Sequence, residues 1–318
     1  MFFLVAPLTL LIERIAGYPK PLFAAIRHPV VWMGALITWF EAPLNQGSNR
    51  RLKGALMLLL LVGSALAISL LILAVTRRIP FGFVIEALLA STLLAQRELG
   101  RAVKSVADGL SLSLQSGRER VSHIVGRDPM SLDEAGVSRA AIESLAESTS
   151  DGIIAPLFWL LVAGLPGIII YKAVNTADSM VGHLSDRYRD YGWASAKLDD
   201  ILNWIPARLS ALLIAGAAFF VRGADPEHGW AMALRDARKH ASPNAGWPEA
   251  AFAGALGFAL GGPRSYDGEV HDLPRFGDGR EALTGLDILK ALELYWMAMN
   301  VTLVVAVFAA LGLWRAFG

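Results

Sequence analysis

The fold is decided by the stretch GALMLLLLVGSALAISLLILAVT at residues 54–76, which contains 23 residues and no charged side chain. An α-helix of that length rises by about 1.5 Å per residue and crosses the roughly 30 Å hydrocarbon core of a bilayer. The rest of the chain has the same character, since 54% of its 318 residues are hydrophobic and 18% are charged. Its mean hydropathy is +0.47. We therefore predict an all-α, polytopic integral membrane protein.

Further apolar segments alternate with polar ones that are too long to be simple helix connections. The additional segments predicted to span the membrane are 79–96, 152–171, 209–221 and 294–314. This gives about five transmembrane helices with long polar loops. Re-entrant segments are a further possibility, because GLPG at 164–167 fits either one continuous span or two half-helices. The apolar stretch 1–12 has neither a basic start nor a cleavage site, so we predict a retained N-terminal helix.

Composition also excludes several classes of function. The chain has no cysteine, so disulfides, thiolate metal sites and cysteine nucleophiles are excluded. Its 29 basic and 28 acidic residues give a net charge of +1, and no basic tract indicates nucleic-acid binding. No internal repeat or low-complexity segment divides the sequence, so we predict one domain over residues 1–318.

The segment LRDARKHASPNAGWPEAAFAGALGFALGG at 234–262 has the composition of an anion site beside an apolar segment. A helix-like run ends in basic residues, turn residues follow, and Pro248 and Glu249 are typical of the first turn of a new helix. Cations and helix N-termini both favour a phosphate. We therefore predict that a phosphate binds in this segment.

Acidic residues recur every four positions at Glu143, Glu147 and Asp151, and Ser131 with Glu134 predicts a capping box just upstream. A helix would align the three carboxylates along roughly 12 Å of one face. Such a row fits a Mg²⁺ site, because a cation relieves the repulsion, and it fits a solvated helix face equally well.

Two polar segments further along the chain leave similar alternatives. Asn175 and Asp178, with Lys172 one turn earlier, suit a metal-bound phosphate. The charged residues within 186–200 fit surface ion pairs as well as a site, and the aromatic residues among them fit an interfacial belt or a surface for a flat ligand. Arg208 interrupts an apolar segment, where an ionisable side chain indicates function unless it snorkels to the interface.

Four blocks of the chain resemble the adenosylcobinamide-phosphate synthase family of cobalamin biosynthesis, of the CobD/CbiB type. The blocks are HPVVWMGALITWFE at 28–41, ESLAESTSDGIIAPLFW at 143–159, YKAVNTADSMVGHLSDRYRDYGWASAKLDDILNWIPARL at 171–209 and RDARKHASPNAGWPEAAFAGALG at 235–257. They occur in the family's order and cover most of the chain. Ser148 departs from the family's pattern, which has asparagine at that position.

The resemblance implies an ATP- and Mg²⁺-dependent ligase. The f-side carboxylate of adenosylcobyric acid would be activated, as an acyl phosphate, and joined in an amide to (R)-1-aminopropan-2-ol or its O-phosphate. Whether the amine is phosphorylated, and whether ADP or AMP leaves, stays open. No bound cobalamin cofactor is expected, because the corrinoid is the substrate.

We expect the residues of the matching blocks to divide into three groups. The predicted catalytic residues are His240, which is the candidate base, with Glu249 and Lys239. The predicted magnesium ligands are Glu143, Glu147, Asp151 and Asp178. The residues predicted to bind substrate or phosphate are His28, Lys172, Asn175, Arg187, Tyr188, Trp193, Lys197, Arg208, Arg235, Arg238, Ser242, Asn244 and Trp247.

The resemblance further implies a multi-pass protein of the inner (cytoplasmic) membrane. The expected partners are the corrinoid, the aminopropanol or its phosphate and the lipid bilayer, and both a homo-oligomer and an association with other enzymes of the pathway are left open. The alternative is a membrane sensor related to the regulators of β-lactamase, but such a sensor has no use for the full set of polar blocks. A transporter would place charges inside its spans, whereas here they lie in the loops.

Overall fold

The computed structural model describes residues 4–126, 129–262, 264–266, 269–271 and 273–317. The α-helices are α1 (Val5–Ala16), α2 (Lys20–Ile26), α3 (Pro29–Leu44), α4 (Arg50–Thr76), α5 (Gly82–Ser91), α6 (Gln96–Leu110), α7 (Leu114–Val121), α8 (Glu134–Thr149), α9 (Ala155–Val181), α10 (Trp193–Leu202), α11 (Trp204–Ala218), α12 (Pro226–Asp236), α13 (Gly246–Leu256) and α14 (Gly285–Phe317). The predicted all-α class is confirmed.

The few strands lie between α13 and α14, where the sequence has many glycine and proline residues. Strand β1 (Leu260–Gly261) pairs antiparallel with β4 (Arg275–Phe276), and β2 (Arg264–Tyr266) pairs antiparallel with β3 (Glu269–His271). Each pair is a two-stranded ribbon. This segment is therefore a set of short ribbons attached to a helical protein.

Four helical segments of the described residues are long and apolar enough to cross a membrane, and a fifth results if α10 and α11 form one broken span. The four segments are Pro21–Leu44, Arg50–Thr76, Glu134–Val181 and Gly285–Ala316. The predicted spans 54–76, 152–171 and 294–314 lie within three of these segments, and 209–221 begins in α11. These four to five apolar segments agree with the prediction of about five transmembrane helices.

Two assignments of individual spans were wrong. The segment 79–96 holds only the ten-residue helix α5, which would rise by about 15 Å, half of a hydrocarbon core. The segment 21–44 is absent from the predicted spans. It is instead helical, and its Glu41 is buried, so the charge does not disrupt the helix.

The predicted capping box at the start of α8 is also wrong. Asp133 caps the helix, because its Oδ1 accepts a hydrogen bond from the Gly136 N–H at 2.8 Å. After α8 the chain makes a π-helical turn, Ser150–Ile154, and then continues as α9. The GLPG segment at 164–167, which fits either one continuous span or two half-helices, contains a kink at Gly164, whose φ of 63° is in the left-handed region that glycine tolerates.

The helices group into two compact units. The first unit comprises Met1–Ala95, Ala155–Asn203 and Ala306–Gly318, and the second comprises Gln96–Ile154 and Trp204–Val305. Each unit draws on separate parts of the sequence, and the single domain over residues 1–318 stays a prediction.

The first unit has its buried centre between α3, α4, α9 and the residues just before α10. Ile37, Met57, Ala177 and Tyr191 belong to this core. Helix α4 approaches so closely that a Cβ at Gly54 would lie 1.7 Å from the backbone oxygen of Tyr191. Gly54 therefore allows a helix packing that no larger residue permits.

The second unit is built on the packing of α12 and α13, two helices rich in small residues. A Cβ at Gly254 would lie 2.5 Å from the backbone oxygen of His228, so the two helices are in near-backbone contact. The predicted helix start near Pro248 and Glu249 is confirmed, since α13 begins at Gly246.

Candidate functional site

In the first unit, polar side chains of α9 and α10 form a connected group that we call the α9–α10 cluster. Its members are Tyr171, Lys172, Asn175, Asp178, Asp199 and Asn203. Asp199 accepts a hydrogen bond from Asn175 Nδ2 at 3.3 Å and one from Asn203 Nδ2 at 2.9 Å. The bond from Asn175, 24 positions before Asp199, links α9 to α10, whereas the bond from Asn203 is local to the end of α10.

A second carboxylate and a cation complete this cluster. Asp178 is close enough to Asp199 for their charges to repel, and Lys172 Nζ donates to Asn175 Oδ1 at 3.3 Å. Gly182 makes room for the carboxylate, because a Cβ there would lie 1.9 Å from Asp178 Oδ1. Two carboxylates beside amide oxygens are a donor set that suits a hard cation such as Mg²⁺.

Arg187 and Tyr188, which are predicted to bind substrate, both interact with Glu41. Arg187 donates to Glu41 Oε1 from Nε at 3.0 Å and from Nη2 at 2.8 Å. Burial and the adjacent Glu41 carboxylate raise the pKa of the Tyr188 hydroxyl. The Glu41 carboxylate is 9% exposed and Arg187 is 69% exposed, so this ion pair holds the loop before α10 against α3.

Three other predicted binding residues of the first unit also have protein partners. His28 caps α3, with Nδ1 accepting from the Val30 N–H at 3.2 Å. The guanidinium of Arg51 lies 3.8 Å from the ring centroid of Trp193. Lys197 pairs with Asp200 at 3.2 Å, as expected for a surface ion pair.

In the second unit, the basic residues that end α12 meet a buried carboxylate that sequence reasoning did not single out. Asp236 is fully buried and accepts from Arg235 Nε at 2.7 Å and Arg235 Nη2 at 2.8 Å. Lys239 Nζ lies 2.7 Å from its Oδ1, and the Gly277 N–H donates to its Oδ2 at 2.8 Å. Burial acts to raise the pKa of Asp236, but these donors outweigh it and lower the pKa to about 2.

This arrangement bears on the predicted phosphate ligand Arg235 and on the predicted catalytic residue Lys239. Arg235 also donates to Asp278 at 2.9 Å, so its charge is shared between two carboxylates. Lys239 is bound to Asp236 as well. Arg235 therefore attaches the β4 loop to α12 through Asp278, and Lys239 neutralises the buried Asp236.

Arg208, at the start of α11, is surrounded by aromatic residues. Its guanidinium lies 4.3 Å from the ring centroid of Trp204 and 4.8 Å from that of Trp247. Its Nη1 donates to the Trp204 backbone oxygen at 2.6 Å and to Asn244 Oδ1 at 3.2 Å. Arg238 is near enough for the two positive charges to repel. The structure thus brings together four predicted binding residues, Arg208, Arg238, Asn244 and Trp247.

The predicted base His240 is held by the turn that precedes α13. Its Nδ1 accepts from the Ser242 N–H at 2.9 Å, and its Nε2 lies 3.7 Å from Glu249 Oε1. Because Nδ1 acts as an acceptor, the neutral ring carries its proton on Nε2, towards the buried Glu249 carboxylate. Ser242 Oγ accepts from the N–H groups of Asn244 and Ala245 and so shapes this turn.

The predicted row of carboxylates on α8 is not uniform. Glu143 is buried and accepts from the Gly261 N–H at 2.7 Å, which fastens β1 to α8. Glu147 is exposed, and Asp151 lies in the π-helical turn, where the regular α-helical register is lost. Among the described residues, no group of three or more acidic or histidine side chains is gathered closely enough to hold a metal ion.

Sequence reasoning did not single out Asn203 and Asp236, and it left Asp199 and Trp204 among residues that fit a surface as well as a site. Asn203 directly follows α10 and is four residues from Asp199, and this spacing predicts a shared helix face. Asp236 had no such signal, because only the fold brings the Gly277 N–H to it.

Comparison with known proteins gives a consistent result. The family model described as CobD/Cbib protein matches residues 6–295. A protein of Brucella suis biovar 1, strain 1330, named "Cobalamin biosynthesis protein CobD", is 47% identical over 305 residues, covering 93% of each chain. Proteins of the same name from Sinorhizobium fredii, at 48% identity over 93% of each chain, and from Rhodobacter capsulatus, at 47% over 94% of this chain and 95% of the relative, are similar to the same degree.

No solved structure matches the chain. The matched family model covers nearly all of the chain, including every cluster described above. The family expected from the four sequence blocks is therefore confirmed, and the chain belongs to the CobD/Cbib family of cobalamin biosynthesis proteins.

Proposed function

We propose that the protein is an ATP-dependent ligase that joins the f-side carboxylate of adenosylcobyric acid to the amine of (R)-1-aminopropan-2-ol or its O-phosphate. In the first step a carboxylate oxygen attacks the terminal phosphorus of ATP, forming an acyl phosphate and ADP. In the second the amine attacks the acyl carbon, phosphate leaves with the shared oxygen, and a proton leaves the nitrogen. Family membership supports the pathway, and the chemistry of the polar clusters supports the reaction.

The observation that carries the proposal is the α9–α10 cluster. Mg²⁺ in phosphoryl-transfer sites is held by one or two carboxylates, and the substrate phosphates complete its coordination. Asp178 and Asp199, which are close enough for their charges to interact, would be the protein ligands in this proposal. Bound Mg²⁺ would shield the charge of the triphosphate from the incoming carboxylate.

The other residues of the cluster have supporting duties in this proposal. Asn175 and Asn203 orient Asp199 through its two oxygens, and Tyr171 in turn donates to Asn203 Oδ1 at 2.9 Å. Lys172 supplies a positive charge beside Asn175, as a point charge for a phosphate oxygen. Glu143, Glu147 and Asp151 stay predicted magnesium ligands, although Glu143 is already bound to the Gly261 N–H.

The proton of the attacking amine needs an acceptor. His240 and Glu249 are proposed as the pair that takes it, with Glu249 the accepting group while Nδ1 of His240 is held by Ser242. His240 itself could accept the proton at Nδ1 only after that hydrogen bond breaks. We therefore propose the His240–Glu249 pair, and not His240 alone, as the acceptor of the proton from the amine.

We further place the protein in the inner membrane as a multi-pass enzyme, with ATP as co-substrate and the corrinoid as substrate. The apolar helical segments support insertion in a membrane. A homo-oligomer and an association with other pathway enzymes stay open predictions.

Purified protein in neutral detergent, supplied with adenosylcobyric acid, either amine, ATP and Mg²⁺, should form the amide and release phosphate. Asp178→Asn and Asp199→Asn should each lower turnover by about 100-fold or more, because a neutral amide is a weak Mg²⁺ ligand. Asp190→Asn, which changes an exposed carboxylate of the preceding loop, is the matched control. Turnover that falls equally in all three variants, or in none, would count against the α9–α10 cluster.

A further inference from the structure

The guanidiniums of Arg208 and Arg238 lie in a region of the second unit where the described carboxylates do not neutralise their positive charges. Ala237, which precedes Arg238, packs against Gly246, which precedes Trp247, since a Cβ at Gly246 would lie 2.3 Å from the Ala237 backbone oxygen. Arg238 is thus close enough to Arg208 for the two positive charges to repel, and within the described part of the chain neither guanidinium has a carboxylate at ion-pair distance. The nearby acids are already engaged, since Asp236 binds Arg235 and Lys239, and Asp278 binds Arg235 and His228.

The hydrogen-bonding capacity of Arg208 is also only partly used. A guanidinium has five N–H donors, and the two bonds that Arg208 makes to oxygens of the described residues both come from Nη1. The edge formed by Nε and Nη2 has the geometry that binds two oxygens of one oxyanion side by side. Asn244 is buried and fixes the opposite side of the guanidinium.

The aromatic neighbours strengthen this site without neutralising it. Trp204 and Trp247 contact the guanidinium, and Trp230 lies against Trp247 with ring centroids 6.3 Å apart. Indole rings hold an arginine in place by cation–π attraction and displace water, which strengthens an ionic hydrogen bond nearby. Because they carry no net charge, the site keeps its two positive charges.

We propose that Arg208 and Arg238 together bind one phosphate group, with the Nε–Nη2 edge of Arg208 gripping two of its oxygens and Arg238 supplying the second charge. A phosphate monoester carries a charge of about −1.5 to −2 near neutral pH, which matches two guanidiniums better than a single carboxylate does. Arg208 orients the anion, and Arg238, which is exposed, meets it at the mouth of the site.

Two sources can supply this chemistry. One is the phosphate of a small phosphorylated amine, and this assignment rests on the proposed ligase function. The other is the headgroup of an anionic phospholipid, because Trp204 and Ile205 beside Arg208 are exposed apolar residues, at 55% and 48%, of the kind that lie at a membrane boundary.

The test measures binding alone, so that its result does not depend on turnover. Protein in neutral detergent is titrated calorimetrically with (R)-1-aminopropan-2-ol O-phosphate, with the unphosphorylated amine and with inorganic phosphate. In a second arm, protein in nanodiscs of phosphatidylglycerol or of phosphatidylcholine is compared for thermal stability. The variants are Arg208→Gln and Arg238→Gln, and Arg222→Gln, which changes an exposed arginine of the same unit, is the control.

We expect the wild type and Arg222→Gln to bind (R)-1-aminopropan-2-ol O-phosphate and inorganic phosphate. Arg208→Gln and Arg238→Gln should each bind these two ligands at least tenfold more weakly. If only phosphatidylglycerol stabilises the wild type, and Arg208→Gln and Arg238→Gln lose that effect, the phosphate belongs to a lipid headgroup. If both variants behave like Arg222→Gln with every phosphate ligand, the proposal is wrong. Arg238→Gln keeps the test decisive if Arg208→Gln does not fold, because Arg238 is exposed and outside the core.

A failed ligase assay together with phosphate-dependent binding would refute the proposed function and leave the phosphate site standing. If Arg208→Gln and Arg238→Gln change neither amide formation, at any amine concentration, nor ligand binding, the phosphate site would be refuted and the proposed ligase function would stand. The two proposals therefore fail separately.

Discussion

Asp236 accepts hydrogen bonds from Arg235, Lys239 and the Gly277 N–H at the end of α12. Replacing it with asparagine removes its negative charge and leaves the shape of the side chain nearly unchanged. The carboxylate has no exposed surface. Asparagine keeps one acceptor oxygen, which can still accept from Gly277, but it cannot satisfy both cations. The second unit should therefore lose stability while keeping its fold.

The pKa of Asp236 sets the size of the effect. The difference between the usual value of 3.8 and about 2 in the folded protein corresponds to about 2 kcal/mol, at about 1.36 kcal/mol for each pH unit. Loss of charge-assisted hydrogen bonds gives a similar figure of about 1.5–3 kcal/mol. At about 2–4 °C per kcal/mol, the melting temperature in detergent should fall by roughly 3–10 °C.

The dependence on pH has a definite sign. Because the folded pKa is lowered, the stabilisation is fully present above the unfolded value near 3.8 and is lost as the pH falls through about 2. The wild type should therefore lose its advantage over Asp236→Asn between about pH 4 and pH 2.

Thermal unfolding followed by intrinsic tryptophan fluorescence measures both effects. Asp278→Asn is the matched control, since Asp278 binds the same Arg235 from an exposed position and should cost much less. A melting temperature for Asp236→Asn at or above that of Asp278→Asn at pH 7 would refute the reasoning.

Two further substitutions test the packing of the first unit. Gly54→Ala should sharply lower the yield of folded protein, because the new Cβ would overlap the backbone oxygen of Tyr191, whereas Gly63→Ala on the same helix has no atom within 4 Å and should be tolerated; equal yields by fluorescence-detected gel filtration would contradict this. Thr76→Val removes the hydroxyl that donates to the buried Glu86 at 2.7 Å and should destabilise the protein by about 1–3 kcal/mol, while Thr76→Ser should not. Unfolding curves that place Val and Ser at the same midpoint would exclude the hydrogen bond as the cause.

The parts of the fold that could be predicted from sequence are those set by local composition. The uncharged run at 54–76 predicts a membrane-spanning helix, and α4 covers it. The same reasoning failed at 79–96, because helix α5 begins only at Gly82, after Phe81 in the left-handed region, and ends at Ser91. It failed at 21–44 because a buried, paired Glu41 looks from sequence like a loop residue.

The candidate site divides in the same way. The four sequence blocks identified the family, and Arg208 was noticed because a charge in an apolar segment needs an explanation. What surrounds it could not be predicted, since Asn244 and Trp247 come from a turn and a helix about 36 residues later. The engagement of Arg235 and Lys239 by Asp236 likewise depends on a backbone N–H at Gly277, 41 residues away.

The central claim is that a corrinoid carboxylate is activated by ATP and converted to an amide. The most direct measurement supplies the folded protein with adenosylcobyric acid carrying ¹⁸O in its free carboxylate, ATP, Mg²⁺ and (R)-1-aminopropan-2-ol or its O-phosphate, and analyses the products by mass spectrometry. The account predicts the amide together with ADP and phosphate, with one ¹⁸O atom transferred to each phosphate released. The appearance of the label in AMP would contradict the acyl phosphate, and the absence of any amide with both amines would contradict the account as a whole.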